Sequence, residues 1–261
     1  MSQRVLLCSL DGVRPDAILA CETPTLQRLA REGASTWNAR SVMPSVTLPC
    51  HTSMLRGVDV PRHGITTNTF MPLARPVPSV MDAAATHGKR VGFFYNWEPL
   101  RDLASPGSTR LSICYGDPTK IENDRRVAEA AALHAAELDF LFVYFGNPDE
   151  TGHAHGWMSQ PYLKSIEHAD RCLAHVLEAW DASGGGLVCV VSDHGGHGRT
   201  HGTDCAEDMT IPFILHGPGV AKGRELLGTV SLYDVCPTLA HALGIQACRE
   251  WDGQIVQEAF I

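Results

Sequence analysis

The feature that most limits the fold is a set of short, continuously apolar runs, three of which lead into acidic residues. Val5 to Leu10 ends at Asp11, Phe140 to Phe145 is followed within a few residues by Asp149, and Leu187 to Val191 runs into Ser192-Asp193-His194. Val91 to Tyr95 and Ile211 to Leu215 share the same apolar continuity. Runs this short that do not alternate read as strands covered on both faces. Amphipathic segments at Pro24 to Arg31, Val77 to His87, Ile121 to Glu137, Pro161 to Ala182 and Leu232 to Leu243 read as helices between them. The alternation predicts an α/β fold, a three-layer sandwich with a mainly parallel central sheet. With 261 residues, 44% of them hydrophobic, the chain has enough apolar material for a single domain over residues 1–261. A small excursion is expected at 71–118, from the Pro-rich Met71 to Pro78 and the segment Glu98 to Pro118.

In an open parallel sheet the C-terminal strand ends share one edge, so Asp11, Asp149, Asp193 and His194 are expected to converge there. Unpaired carboxylates repel, and divalent metal ions are the simplest reason to gather them. Two ions suit this many ligands better than one. Asp149 and His153 stand four apart in Pro148-Asp-Glu-Thr-Gly-His-Ala-His155, read as a loop in which Gly152 lets both side chains address one ion. His201, in the glycine-rich stretch Gly196 to Thr203, is the choice to complete that site. Asp11, Asp193 and His194 would form the second, a mixed oxygen and nitrogen set suited to zinc, manganese or iron.

A nucleophile is expected beside the ions. In Met43-Pro-Ser-Val-Thr-Leu-Pro-Cys-His-Thr-Ser-Met54, Thr47 stands just ahead of Pro49 and a short helical pattern. A helix N-terminus favours an oxyanion, and an adjacent metal ion could hold the hydroxyl as alkoxide. Ser45 and Cys50 are rivals, the thiol disfavoured by burial or by zinc.

Composition narrows the partners. Lys and Arg total 21 against 29 Asp and Glu, a net charge of −8, which argues against a nucleic-acid polymer held by its backbone. The ions would then supply the positive charge that attracts an anionic small molecule, a phosphate ester or diester. Charged residues break the N-terminal apolar run at once, so neither a membrane span nor a secretory leader is expected. The nine cysteines are scattered and never spaced as Cys-x-x-Cys, which reads as reduced thiols in a cytoplasmic protein. Seven of the 13 histidines, His51, His63, His153, His155, His194, His197 and His201, fall in four polar stretches. His51 points inward on the helical pattern and reads as a core histidine. His155 and His197 read as outer-shell or solvent groups. Oligomeric state has no signature in the sequence.

The motifs Asp11-Gly-Val-Arg14, Thr47-Leu-Pro-Cys-His51, His63-Gly-Ile-Thr-Thr-Asn68, Pro148-Asp-Glu-Thr-Gly-His153, Ser192-Asp-His-Gly195 and His201-Gly, in this order, resemble the type I phosphodiesterase/nucleotide pyrophosphatase family of the alkaline phosphatase superfamily. Thr210 to Gly219 and Tyr233 to Ala240 resemble the closing strand and helix of that superfamily. The resemblance implies an alkaline phosphatase-like fold and two ions, usually zinc. Asp149, His153 and His201 would surround one ion, and Asp11, Thr47, Asp193 and His194 the other. It also implies that Thr47 becomes a covalent phosphothreonine and that Asn68 hydrogen-bonds a non-bridging phosphoryl oxygen. Cys50 departs from the asparagine that many relatives carry after this proline, and the large insertions of secreted relatives are missing.

The fold and the metal chemistry transfer on this likeness better than the substrate does. Arg14 and Arg199 are the only basic residues close to the motifs. Arg14 could bind substrate or merely pair with Asp16. The lysine-free Thr69 to Ala74 leans toward a diester or an aromatic leaving group. A phosphomonoesterase or phosphonate hydrolase on the same core is the alternative enzyme, and an inactive metal-binding pseudoenzyme the alternative of another class.

Overall fold

The computed structural model describes residues 4–261. In chain order its elements are β1 (Val5–Leu10), α1 (Pro15–Ala20), α2 (Pro24–Glu32), β2 (Ala34–Arg40), α3 (Thr47–Arg56), α4 (Val60–His63), α5 (Val80–Thr86), β3 (Val91–Tyr95), β4 (Leu111–Cys114), α6 (Ile121–His134), β5 (Phe140–Phe145), α7 (Asn147–His155), α8 (Gln160–Ala182), β6 (Leu187–Ser192), α9 (Ala206–Met209), β7 (Thr210–His216), β8 (Arg224–Glu225) and α10 (Val235–Ala242). The strands form one sheet in the order β4-β3-β5-β1-β6-β7-β2-β8. β7 alone runs against the others, because it pairs antiparallel with both β6 and β2 while the remaining pairings are parallel. The fold is the expected α/β sandwich with a mainly parallel sheet.

Successive strand residues face opposite layers, and both faces are apolar. Val5, Leu7, Phe140, Phe142, Cys189 and Val191 pack with Leu48, Met54, Val80 and Leu239 of α3, α5 and α10. Leu6, Cys8, Leu10, Leu141, Val143 and Val190 pack with Ile18, Leu26, Val127 and Tyr162 of α1, α2, α6 and α8. This two-sided burial is why the strands carry continuous apolar runs. Of residues 71–118, expected as an excursion, β3 and β4 form one border of the sheet, while 71–79 and 104–110 run irregularly. No helix among the described residues is long and apolar enough to cross a membrane.

One local reading is corrected. Asp149 and His153 do not sit on a loop: they lie one turn apart on α7, which starts with Pro148 in its first turn. Gly152 serves packing rather than chain reversal, since a Cβ there would meet the Trp157 ring at 2.8 Å.

Candidate active site

The registers bring the three carboxylates together. β1 lies between β5 and β6, with Leu10 beside Phe145 and Ser192, so Asp11, the start of α7 and Asp193 leave the sheet side by side. Asp11, Asp149 and Asp193 are all buried. Gly12 makes their approach possible, since at φ +66° it turns the chain where a Cβ would stand 2.9 Å from Asp149 Oδ1.

Asp11 and Asp193 are each held by one oxygen and left bare at the other. Asp11 Oδ2 accepts from the Tyr144 hydroxyl, and Asp193 Oδ1 accepts from the Gly12 N–H at 3.1 Å. Asp11 Oδ1, Asp149 Oδ1 and Asp193 Oδ2 are buried with no hydrogen-bond partner. Burial and the neighbouring carboxylates push Asp11 well above the usual carboxylate range, and burial raises Asp193 too. Burial also acts to raise Asp149, but His153, His194 and His201 outweigh it and hold the group low.

The histidines are oriented alike. His153 Nδ1 donates to the Arg199 carbonyl at 3.0 Å, His194 Nδ1 to the Gly195 carbonyl at 2.8 Å, and His201 Nδ1 to the Ser45 carbonyl at 2.8 Å. Each therefore presents a bare Nε2 to the site, the outer contact by which metal-binding imidazoles are fixed. His153 Nε2 and His201 Nε2 stand 3.1 Å apart, and they lie 3.4 Å from Asp149 Oδ2 and 3.6 Å from Asp149 Oδ1 respectively. His194 Nε2 lies 3.3 Å from Asp11 Oδ1, from Asp193 Oδ2 and from Thr47 Oγ1. Spacings of this size are those of atoms sharing a tetrahedral ion with bonds of about 2.0–2.2 Å. Asp149 joins both groups, one with His153 and His201 and one with Asp11 and His194. Bare carboxylate oxygens facing bare imidazole nitrogens in a buried setting are a donor set that divalent ions fit.

Thr47 is the first residue of α3 and is buried. Asn68 closes over the same helix end, its Oδ1 accepting from the Leu48 N–H at 3.0 Å and its Nδ2 left as a donor. Ser45 Oγ donates to the Thr203 carbonyl. Burial drives the Cys50 thiol far above its ordinary pKa, so it is no thiolate nucleophile. The Arg14 guanidinium grips Asp16 at 2.6 Å and the Gly196 carbonyl at 3.1 Å.

The profile of the family described as Type I phosphodiesterase / nucleotide pyrophosphatase matches residues 5–204, which carry the whole site. The chain belongs to this family. Human ectonucleotide pyrophosphatase/phosphodiesterase family member 7 is 25% identical over 198 residues, covering 67% of this chain and 43% of that protein. The 2,3-bisphosphoglycerate-independent phosphoglycerate mutase of Thiobacillus denitrificans is 27% identical over 174 residues, covering 63% and 33%. The chain thus spans less than half the length of these curated relatives. Among solved structures, an inactive threonine-to-alanine variant of murine ectonucleotide pyrophosphatase/phosphodiesterase 5 in complex with AMP superposes with a TM-score of 0.81 at 18% identity, covering 99% of this chain and 100% of that one. A 2-O glycosaminoglycan sulfatase superposes with a TM-score of 0.76 at 17% identity, covering 98% and 73%.

In this family member several site residues carry no sequence signal of their own. Tyr144, the Asp11 partner, is hidden in an apolar strand. Trp157 donates from Nε1 to the Gly12 carbonyl at 2.8 Å and stands edge-on to His153, 5.1 Å between ring centroids. His51 is buried as expected, with Nε2 2.8 Å from Ser9 Oγ and Nδ1 2.8 Å from the Thr47 carbonyl. The same Nδ1 lies 3.4 Å from Asp193 Oδ2, so this core histidine also backs the site.

Proposed function

We propose that the chain is a two-metal phosphodiesterase with Thr47 as nucleophile. Asp149, His153 and His201 would hold one ion, and Asp11, Thr47, Asp193 and His194 the other. Zinc best suits the three imidazoles, and manganese or iron would accept the same donors. Two such ions would keep Thr47 Oγ ionised near neutral pH and offset the negative charge of the reacting phosphate.

The observation that carries the reading is Thr47 Oγ1 at 3.3 Å from His194 Nε2 on the first residue of a helix, where the dipole favours a negative oxygen. Thr47 Oγ attacks phosphorus in line with the leaving oxygen. The bond to that oxygen breaks, it leaves with the electron pair, and phosphothreonine remains. Water then attacks the same phosphorus, the bond to Oγ breaks to restore the Thr47 oxygen, and the proton that the water loses passes through solvent to the departed alkoxide. The Asn68 Nδ2 donates to a non-bridging oxygen.

A diester is the favoured substrate, because it presents one negative charge to the neutral Asn68 amide, while Arg14, one of two cations near the motifs, is tied to Asp16 and Gly196. A monoester dianion asks for more positive charge. The AMP complex of the murine structural relative is in keeping with a nucleotide-sized ligand.

The test is turnover of the zinc-loaded protein on paired aryl phosphodiester and phosphomonoester substrates, with Thr47→Ala beside each. A diester preference, roughly 10³-fold or more loss in the variant at unchanged metal content, and phosphate trapped on Thr47 are expected. Monoester preference would overturn the substrate class. Full turnover by the variant would overturn the nucleophile, and absence of turnover by the parent would leave a metal-binding pseudoenzyme.

A further inference from the structure

A second gathering of ligand-type side chains lies on the loop that carries His201. His197 Nδ1 is 2.8 Å from Asp208 Oδ1 and 3.5 Å from Cys205 Sγ, and one donor atom from each residue falls within 4.8 Å of the others. None of the three belongs to the two-metal centre, whose donors are all nitrogen or oxygen. We propose that His197, Cys205 and Asp208 form a third metal site, for a zinc-like ion bound through a thiolate, which ties together the loop that delivers His201.

The cluster is held in place by contacts that leave its donors available. Asp208 is fully buried, and its Oδ2 accepts from the Thr203 N–H at 2.9 Å and the Thr203 hydroxyl at 2.7 Å. Oδ1 is thereby aimed at His197. The backbone is clipped on both sides, with the Gly195 N–H on the Asp208 carbonyl at 2.8 Å and reciprocal bonds between His197 and Thr200 at 2.9 and 3.0 Å. Cys205 precedes α9, and its Sγ caps none of that helix's N–H groups. His197 and Cys205 are half-buried, so an ion and a solvent ligand can enter.

The spacing suits an ion. Tetrahedral zinc with bonds of about 2.3 Å to sulfur and 2.0 Å to nitrogen or oxygen sets its ligands roughly 3.3–3.8 Å apart. The sulfur–nitrogen distance of 3.5 Å already meets this. The shorter nitrogen–oxygen distance is that of a shared proton, and an ion replaces that proton while the pair opens by about half an ångström. On binding, the proton displaced from His197 Nδ1 passes through solvent to Nε2, leaving the imidazole neutral, and the Cys205 thiol gives its proton to solvent. Three points of the segment 197–208 are then joined on either side of His201.

Cobalt(II) titration of the chelator-stripped full chain tests this, because only a thiolate ligand gives intense sulfur-to-cobalt charge-transfer absorption in the near ultraviolet. The parent is expected to take up three equivalents, one of them bringing that absorption, and Cys205→Ser to take up two and lack it. His197→Ala is expected to lose the same absorption. Two equivalents without the absorption, or an absorption that survives in Cys205→Ser, would overturn the site and leave a hydrogen-bonded clip between His197 and Asp208. Failure of the two-metal centre would show separately, as loss of the weak visible bands of nitrogen- and oxygen-bound cobalt.

Discussion

Tyr144 stands on β5 and Asp11 directly follows the neighbouring β1, and the buried phenol donates to Asp11 Oδ2 while Asp11 Oδ1 faces His194 Nε2 at 3.3 Å. Burial and the carboxylates around it drive the Tyr144 pKa upward, so the phenol stays protonated and remains a donor. It fixes which carboxylate oxygen is offered to an ion. Tyr144→Phe is expected to keep the fold and weaken metal binding by about 10–100-fold, as loss of an outer contact on a ligand does. Isothermal titration with zinc measures this directly, and an affinity equal to the parent's would refute the positioning role.

His153 Nε2 and His201 Nε2 face each other at 3.1 Å, within hydrogen-bond distance. Asp149 pushes the His153 pKa up to about 9, so a proton and a metal ion compete for this imidazole, and an ion bound by donors assembled only in the folded chain stabilises that chain. Chelation should therefore cost stability as well as activity. An ion present at 100 times its dissociation constant adds about 2.7 kcal/mol per site, a melting shift of roughly 5–10 °C in a chain of this size. Scanning calorimetry before and after chelation, then with zinc restored, reads the shift. Identical transitions would remove the metal from the account of this centre.

Legibility in the sequence followed burial. β1, β3 and β5 are visible because both sheet faces are covered and their residues are uniformly apolar. β2 is not, since Ala34-Ser-Thr-Trp-Asn-Ala-Arg40 lies near a sheet border, is partly exposed, and carries a bulge between Thr36 and Ala39 that breaks alternation. α7 was hidden for another reason: Asn147-Pro-Asp-Glu-Thr-Gly-His-Ala-His155 has no apolar stripe, being made helical by its place between β5 and Trp157. The carboxylates and imidazoles could be read because strand ends are where polar residues must be accounted for. Tyr144 and Trp157 could not, since an aromatic residue in a core looks the same whether or not its polar atom holds a site residue.

Gly12 offers a test of how tightly the centre is packed. Gly12 and Gly88 both have positive φ, +66° and +74°, but a Cβ at Gly12 meets Asp149 Oδ1 at 2.9 Å while one at Gly88 meets nothing within 4 Å. Alanine at either position bears backbone strain of about 1–3 kcal/mol. Only Gly12→Ala should also displace Asp149. It is expected to lose metal content and turnover, and Gly88→Ala to retain both. Equal behaviour of the two variants would mean that the close approach to Asp149 has no consequence.

The buried carboxyl of Asp124 gives a pH signature separate from the centre. Burial lifts it to about 7 against the hydrogen bonds it accepts from the Asn96 amide and the Asn147 N–H, and its Oδ2 has no partner. Below the ordinary value of 3.8 the group is protonated in folded and unfolded chains alike. As pH rises to 7 the unfolded chain releases the proton while the folded chain keeps it, so the stability tied to this group falls and is lost above 7. Three pH units correspond to about 4 kcal/mol as an upper bound. Asp124→Asn removes the ionisation and keeps an oxygen for the Asn96 bond. Denaturant midpoints at pH 5 and pH 8 should show the variant gaining on the parent as pH rises, whereas parallel curves would place the Asp124 pKa near its unfolded value.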